Sequence, residues 1–227
     1  RRQTHETDDG LAFDFVADTP DKPVLTGHAD GLVTINIAEA DSPERERRRV
    51  EMGEPYRTLL GHLRHEVGHY YWDVLVREGD KLEETRTVFG DERADYAEAL
   101  ERHYETGPPP GWEVTYVSAY ATAHAWEDFA ETWAHYLHMI DTLDTARSFG
   151  ITVDPSVSTD PANDAQVERD PYATADFAVL AEDWAPLTVA LNSLNRAMGQ
   201  PDLYPFVLEP AVLAKLGFIH ALVRGRA

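Results

Sequence analysis

His65 and His69 stand four residues apart with Glu66 between them, in the string L-R-H-E-V-G-H-Y-Y-W-D over residues 63–73. On a helix, residues four apart project from one face. Two imidazoles so placed can grip one tetrahedral Zn²⁺ at roughly 2.0–2.1 Å. A glutamate between them can reach water at the metal and serve as general base. The flanks predict a helix, because Leu59, Leu60, Leu63, Val67, Tyr70 and Val74 recur at helical spacing. A buried helix with two histidines and a glutamate must supply them with partners, since unpaired buried polar groups are costly. The bland alternative is an exposed amphipathic helix that carries two histidines by chance.

A catalytic zinc takes three protein ligands and keeps one position open. In the longer motif H-E-x-x-H-x-x-G-x-x-H the third ligand follows on the same segment. Here Trp72 and Leu75 occupy the glycine and histidine positions, so the third ligand must come from elsewhere. The favoured source is Y-A-T-A-H-A-W-E-D-F-A-E-T-W-A-H over 120–135, where Glu127 and Glu131 share a helical face beside Phe129, Ala130, Trp133 and Ala134. One of the pair can bind the metal. The other can take the free N–H of a ligating imidazole, which fixes its tautomer and ring orientation. Glu127 is favoured as the ligand over Glu131, Asp128 and Asp95.

Other titratable residues carry weaker readings. His135, eight residues past Glu127, lies near the same face and could line the site, as could His124 and His138. Each also reads as a satisfied structural histidine. Asp73, one turn past His69, could orient an imidazole or make an intrahelical or capping contact. Asp91, Glu92, Arg93 and Asp95 read as a buried ion-pair network supporting the metal helix.

The elements that must position these groups follow from pattern and punctuation. Residues 11–16 alternate as a strand, and the β-branched run 32–37 is a second, with Val24-Leu25 ahead of the turn residues Ala29-Asp30-Gly31. With a frayed start over 1–10 and a proline turn over 19–23, these predict a small antiparallel sheet within residues 1–40. A charged helix starts at Asp41-Ser42-Pro43, with 44–49 as a solvated face, and Gly53 and Pro55 break it. The metal helix then runs over 55–78 and closes at Gly79-Asp80. A helix over 92–104 has Asp91 as its expected N-cap. Residues 107–111 form a rigid proline loop, and 112–120 read as a short strand or an extended approach. A helix follows over 127–142. The polar stretch 151–174 is long for a loop, and such loops are usually functional or disordered. Helices over 177–198 and 210–223 close the chain. The expected architecture is α+β and mostly helical, in one domain over 1–227. Its parts are a small β part at 1–40, metal-site helices at 55–145 and C-terminal helices at 175–227.

Composition narrows the function classes. The 227 residues fit one sizeable domain, and five Trp, ten Tyr and eight Phe supply a core. With no cysteine, any metal must sit on histidine and carboxylate ligands. A net charge of −21 argues against non-specific nucleic-acid binding and against docking on anionic membranes. No apolar run approaches the ~20 residues of a membrane span. No signal peptide is visible, which makes the cytoplasm the default location. The chain opens at Arg1-Arg2 without a Met and reads as a fragment lacking an N-terminal segment.

These residues carry a family resemblance. The pairing of H-E-x-x-H with a later helical E-x-x-x-E resembles the gluzincin branch of zinc peptidases. The string Y-x6-E-x-F-A-E, from Tyr120 to Glu131, resembles a segment of the anthrax lethal factor peptidase domain, where a Tyr also stands seven residues before the ligand Glu. Over nearly its whole length the chain is similar to a bacterial family of putative zinc-binding metallopeptidases, in the strings F-G-D-E-R-A-D-Y, W-E-D-F-A-E-T-W-A-H-Y-L-H and L-N-R-A-M-G-Q-P-D-L-Y-P-F. Many members of that family carry an N-terminal zinc-ribbon-like segment with cysteines, which is missing here. The resemblance implies a zincin-like fold and one Zn²⁺ per chain on His65, His69 and Glu127. It implies Glu66 as base, Tyr120 as phenol donor to the oxyanion, and Glu131 as the group that holds a ligating imidazole. Hydrolysis does need a donor where negative charge develops.

The expected function is zinc-dependent hydrolysis of peptide bonds in a peptide or protein substrate, with no nucleic-acid or membrane partner. The strand over 32–37 is the candidate for holding extended substrate by edge pairing. Two rivals stand beside this reading. One is a zinc-binding scaffold without turnover, which the intact Glu66 disfavours. The other is an amidase acting on a non-peptide substrate.

Overall fold

Three short strands precede the helices: β1 (Ala12–Val16), β2 (Gly27–Ala29) and β3 (Leu32–Asn36). The computed structural model describes residues 10–19, 24, 26–52 and 58–226. The expected frayed start at 1–9, the turn residues 20–23, Leu25, Gly53, Pro55 and the first residues of the expected metal helix lie outside them. Asp30 and Gly31 both take positive φ, 47° and 84°, as a two-residue hairpin turn requires, and they join β2 to β3. β1 instead runs parallel to β3, with Ala12 opposite Leu32 and Val16 opposite Asn36. The sheet is therefore mixed, in the order β1-β3-β2, and not the antiparallel one expected. A parallel pair needs a crossover, and the hairpin strand β2 lies within that connection. Because β3 is paired on both sides, its backbone groups cannot receive a substrate strand, and that expectation is overturned.

α1 (Ser42–Met52) carries Glu44–Arg47 and Glu46–Arg49 pairs three residues apart, the solvated face expected there. α2 (Leu59–Trp72) starts where the Thr58 hydroxyl accepts the Gly61 N–H at 2.9 Å. It runs on into a π-helical turn over Asp73–Arg77. Glu39, almost fully buried, accepts from the Thr26 hydroxyl and pairs with His62 Nδ1 at 2.6 Å, tying the β2–β3 end of the sheet to α2.

The next segment departs from expectation. α3 (Leu82–Phe89) is a short helix that the pattern did not reveal, since its charged string buries only Thr85 and Phe89. α4 (Tyr96–Thr106) starts four residues later than expected, and its N-cap is Asp95, which accepts from the Glu98 N–H at 3.0 Å. The Asp91 carboxylate instead binds the Arg93 backbone and guanidinium. The Arg93 and Asp91 side chains are 67% and 53% exposed, and Glu92 pairs instead with Arg86 in a half-buried position, so the expected four-residue buried network is not formed. Residues 112–120 hold no strand; 3₁₀ turns form at Trp112–Val114 and Tyr120–Thr122.

α5 (Ala125–Ser148) is the central helix and packs along α2, with α6 (Phe177–Ala197) and α7 (Pro210–Val223) on its other sides. The core lies among these helices, around Met139, Ile140, Leu143, Leu187, Leu216 and Ile219. The stretch 151–174 is not a free loop. It forms a small hairpin, β4 (Thr152–Val153) with β5 (Ala165–Gln166), and buries Ala165 and Val167 in the core. Arg169 pairs with Asp183, the Tyr172 hydroxyl donates to Asp141, and Arg224 donates to two carbonyls of the stretch. Among the described residues no helix is long and apolar enough to cross a membrane.

Candidate metal centre

α2 presents His65, Glu66 and His69 on its buried side, and the first turns of α5 present Glu127 and Glu131 across from them. The two helices come close because Gly68 lies between the histidines on the facing side. A Cβ there would stand 3.1 Å from the Ala130 Cα and 3.2 Å from the Trp133 Cβ, so a side chain would push α5 away. Gly68 fills one of the two unspecified positions of H-E-x-x-H, so nothing in the motif marks it.

The donor atoms converge. His65 Nε2 lies 3.1 Å from His69 Nε2 and 3.0 Å from Glu127 Oε2, and His69 Nε2 lies 3.5 Å from that oxygen. Tetrahedral donors at zinc bond lengths of roughly 2.0–2.1 Å stand about 3.3 Å from one another, so these separations match. Glu127 Oε2 is buried and no N–H is directed at it. His65, His69 and Glu127 thus form a buried candidate metal site. The donor set is the nitrogen and oxygen set that a chain without cysteine can offer a zinc ion.

The surroundings set the tautomer of one imidazole. Glu131 accepts from His65 Nδ1 at 2.6 Å and from the Ser118 hydroxyl at 2.5 Å. A carboxylate only accepts, so the proton of neutral His65 sits on Nδ1 and the Nε2 lone pair faces the cluster. Burial would raise the Glu131 carboxyl, but the His65 hydrogen bond and charge outweigh it and hold the group at about 2. Burial likewise opposes a charged His65, yet Glu127 and Glu131 raise its pKa well above the ordinary value. The two carboxylates therefore favour positive charge at this point, whether a proton or a metal ion.

His69 is held differently. Its ring packs on Trp126 at 3.9 Å between centroids and stacks with His28 of β2 at 6.2 Å, while its buried Nδ1 has no protein partner. Asp73 does not orient it. The Asp73 carboxylate pairs with Arg77 at 2.8 Å, four residues on, where the helix has widened to its π turn.

The phenols stand at the edge of the cluster. Tyr120 precedes α5 on a 3₁₀ turn, and its ring lies 5.9 Å from that of His65. Burial and the Glu127 charge push its pKa up, so it stays a protonated donor. Tyr96, which the sequence reading did not assign, donates its hydroxyl to Glu127 Oε1 at 2.6 Å. Its pKa is raised by burial and by Glu127, with Glu66 near enough to contribute. No spacing rule links Tyr96 to Glu127, although it ends the string F-G-D-E-R-A-D-Y.

Three other candidate histidines, His124, His135 and His138, lie outside the cluster. His135 is buried and bonds Tyr204 through Nδ1 at 2.6 Å; burial lowers its pKa to about 4. His138 bonds Arg64, which also binds Asp141. His124 caps α5 by accepting the Trp126 N–H, and its other nitrogen bonds the Ala94 carbonyl. These three are structural in their contacts.

Comparisons with known proteins agree with this geometry. A family described as "Putative zinc-binding metallo-peptidase" matches residues 1–222. Proteins of Mycobacterium tuberculosis and Mycobacterium bovis, each bearing the name uncharacterized protein, are 48% identical over 219 residues, which cover 96% of this chain and 61% of theirs. The chain thus spans about three fifths of the length of the curated relatives it matches. No solved structure matches it.

Proposed function

The chain belongs to the putative zinc-binding metallo-peptidase family, and we propose that it is a zinc-dependent hydrolase of peptide bonds. The observation that carries this reading is the convergence of His65 Nε2, His69 Nε2 and Glu127 Oε2 within 3.0–3.5 Å, with Glu66 on the same helix. These three residues would hold one zinc ion. When bound, zinc acidifies water and polarises a carbonyl.

The chain's own groups divide the rest. Glu66 takes a proton from the attacking water and passes it to the leaving amine. Tyr120, kept protonated, donates to the oxygen on which charge develops. Glu131 fixes the His65 tautomer, and Ser118 fixes Glu131. Trp126 packs the His69 ring in place. Turnover by an intact Glu66 is what separates this reading from a zinc-holding scaffold.

The test is metal content and hydrolysis of a peptide library by wild type, Glu127→Ala and Glu66→Gln. Wild type should hold one zinc per chain and cleave. Glu127→Ala should lose the zinc, and Glu66→Gln should keep it while cleavage falls by a factor of about 10²–10⁴, the usual worth of a general base. Wild type that stays metal-free when zinc is supplied overturns the proposal. So does Glu66→Gln that cleaves as wild type does.

A further inference from the structure

We propose that Tyr96 is a positioning residue that restricts Glu127 to one-oxygen ligation and so keeps a coordination position open for water and substrate. This rests on the zinc reading above. A carboxylate offers two oxygens, and at Glu127 they have different neighbours. Oε2 faces the two imidazole nitrogens with no donor of its own, while Oε1 accepts the Tyr96 hydroxyl at 2.6 Å. Two imidazoles and a carboxylate bound through both oxygens would supply four donor atoms, the full set of a closed structural site. Bound through Oε2 alone, the same residues supply three and leave the fourth position free.

The hydroxyl is held in place from two sides, although Tyr96 is 37% exposed. Asp95, the residue before it, caps α4 through the Glu98 N–H, and the Ala94 carbonyl before that bonds His124 Nε2 at 3.1 Å. The ring stands edge-on to His124 at 5.3 Å and to Trp126 at 5.7 Å. His124 and Trp126 stand three residues and one residue before Glu127 in the chain. One short segment therefore fixes both the carboxylate and the phenol that occupies one of its oxygens. A tyrosine serving only to fill space would need neither the 2.6 Å bond nor this brace.

The experiment compares wild type, Tyr96→Phe and Tyr120→Phe, each loaded with zinc and, separately, with Co²⁺. Phenylalanine keeps the ring packing, and far-ultraviolet circular dichroism checks the fold. Tyr96→Phe should hold zinc as tightly as wild type or more tightly in chelator competition. Its cobalt form should lose visible absorption intensity as a further donor enters the coordination shell, and kcat of the zinc form should fall roughly 10–100-fold, the range for partners of metal ligands. Tyr120→Phe, which leaves the Tyr96–Glu127 bond in place, should keep the wild-type cobalt spectrum. A Tyr96→Phe cobalt spectrum equal to wild type overturns the proposal, as does a variant that loses zinc with its spectrum unchanged, because Tyr96 would then only support the ligand. Wild type taking up neither ion overturns the zinc reading itself and is told apart by the wild-type sample alone.

Discussion

The two halves of α5 meet the protein interior differently: only the first carries charged groups into it. Toward its N-terminus the helix buries Glu127, Asp128 and His135 among Phe129, Ala130 and Trp133, with Glu131 half-buried beside them; toward its C-terminus it buries Met139, Ile140, Leu143 and Ala146. The second half needs only complementary shape, because dispersion and the removal of apolar surface from water act without direction. The first half needs specific partners for its charged and imidazole side chains. Glu127 has the two imidazoles and Tyr96, Glu131 has His65 and Ser118, and His135 has Tyr204. Asp128 has Lys215 of α7, whose ammonium also donates to the Thr115 carbonyl and lies over the Tyr116 ring. Burial still raises the Asp128 carboxyl to about 7 against the pull of Lys215. The lesson is that the stability of the polar half depends on its pairings and that of the apolar half on volume, so each half should fail in its own way.

The largest effect should come from breaking a pairing outright. Lys215→Ala leaves Asp128 buried and alone, which should cost about 3–5 kcal/mol in denaturant unfolding. Lys215→Met, which fills the space, should cost the same if the pairing matters, and no more than a core swap if it does not. Leu143→Ala should cost roughly 2–5 kcal/mol by leaving a cavity, with zinc stoichiometry unchanged. Loss of zinc in that variant would break the division between the halves. Gly68→Ala should cost about 1–3 kcal/mol through overpacking against Ala130, and it should also weaken zinc binding because the helices carrying the donors part. Glu131→Gln should weaken zinc binding roughly 10–100-fold while the unfolding midpoint of the metal-free protein changes less than in Leu143→Ala.

The smallest effect is a pH dependence confined to the polar half. Burial holds His135 at about 4 and His138 at about 3 in the fold, against an unfolded value near 6.5. The unfolded chain then binds more protons below about pH 6.5, so stability is full above that value and falls as the pH drops toward 4. The thermal midpoint of the metal-free protein should decline between pH 7 and pH 5. Asp128, held at about 7, gains its proton over the same range and opposes this decline, so the decline should steepen in Asp128→Asn; a flat profile in that variant would show that these histidines protonate freely.

How much was legible depends on how local each feature is. The helix over 210–223 was predicted to its ends because Pro210 starts it and its apolar positions recur within the segment. The shared face of His65 and His69, and that of Glu127 and Glu131, follow from helical geometry alone. α3 escaped because eight mostly charged residues bury only two side chains, too few to show a period. The later start of α4 escaped because Asp91 and Asp95 are equal as caps on paper, and only the Arg93 contact decides between them. The parallel pairing of β1 escaped because strand direction is a property of the connection, not of the strand.

By itself the sequence determined which groups could do chemistry: two imidazoles and a glutamate on one helix, two carboxylates on another, and no thiol to compete for a metal. Tertiary structure decided which atoms meet. It brought Glu127 Oε2 to both imidazoles, gave Glu131 to His65, sent Asp73 to Arg77, and placed the Tyr96 hydroxyl on Glu127 from 31 residues away. The reason is physical. Periodicity reports which face of a helix a residue occupies. Only packing between helices, here the contact that Gly68 permits, sets distances across that face to the few tenths of an ångström on which coordination and hydrogen bonding depend.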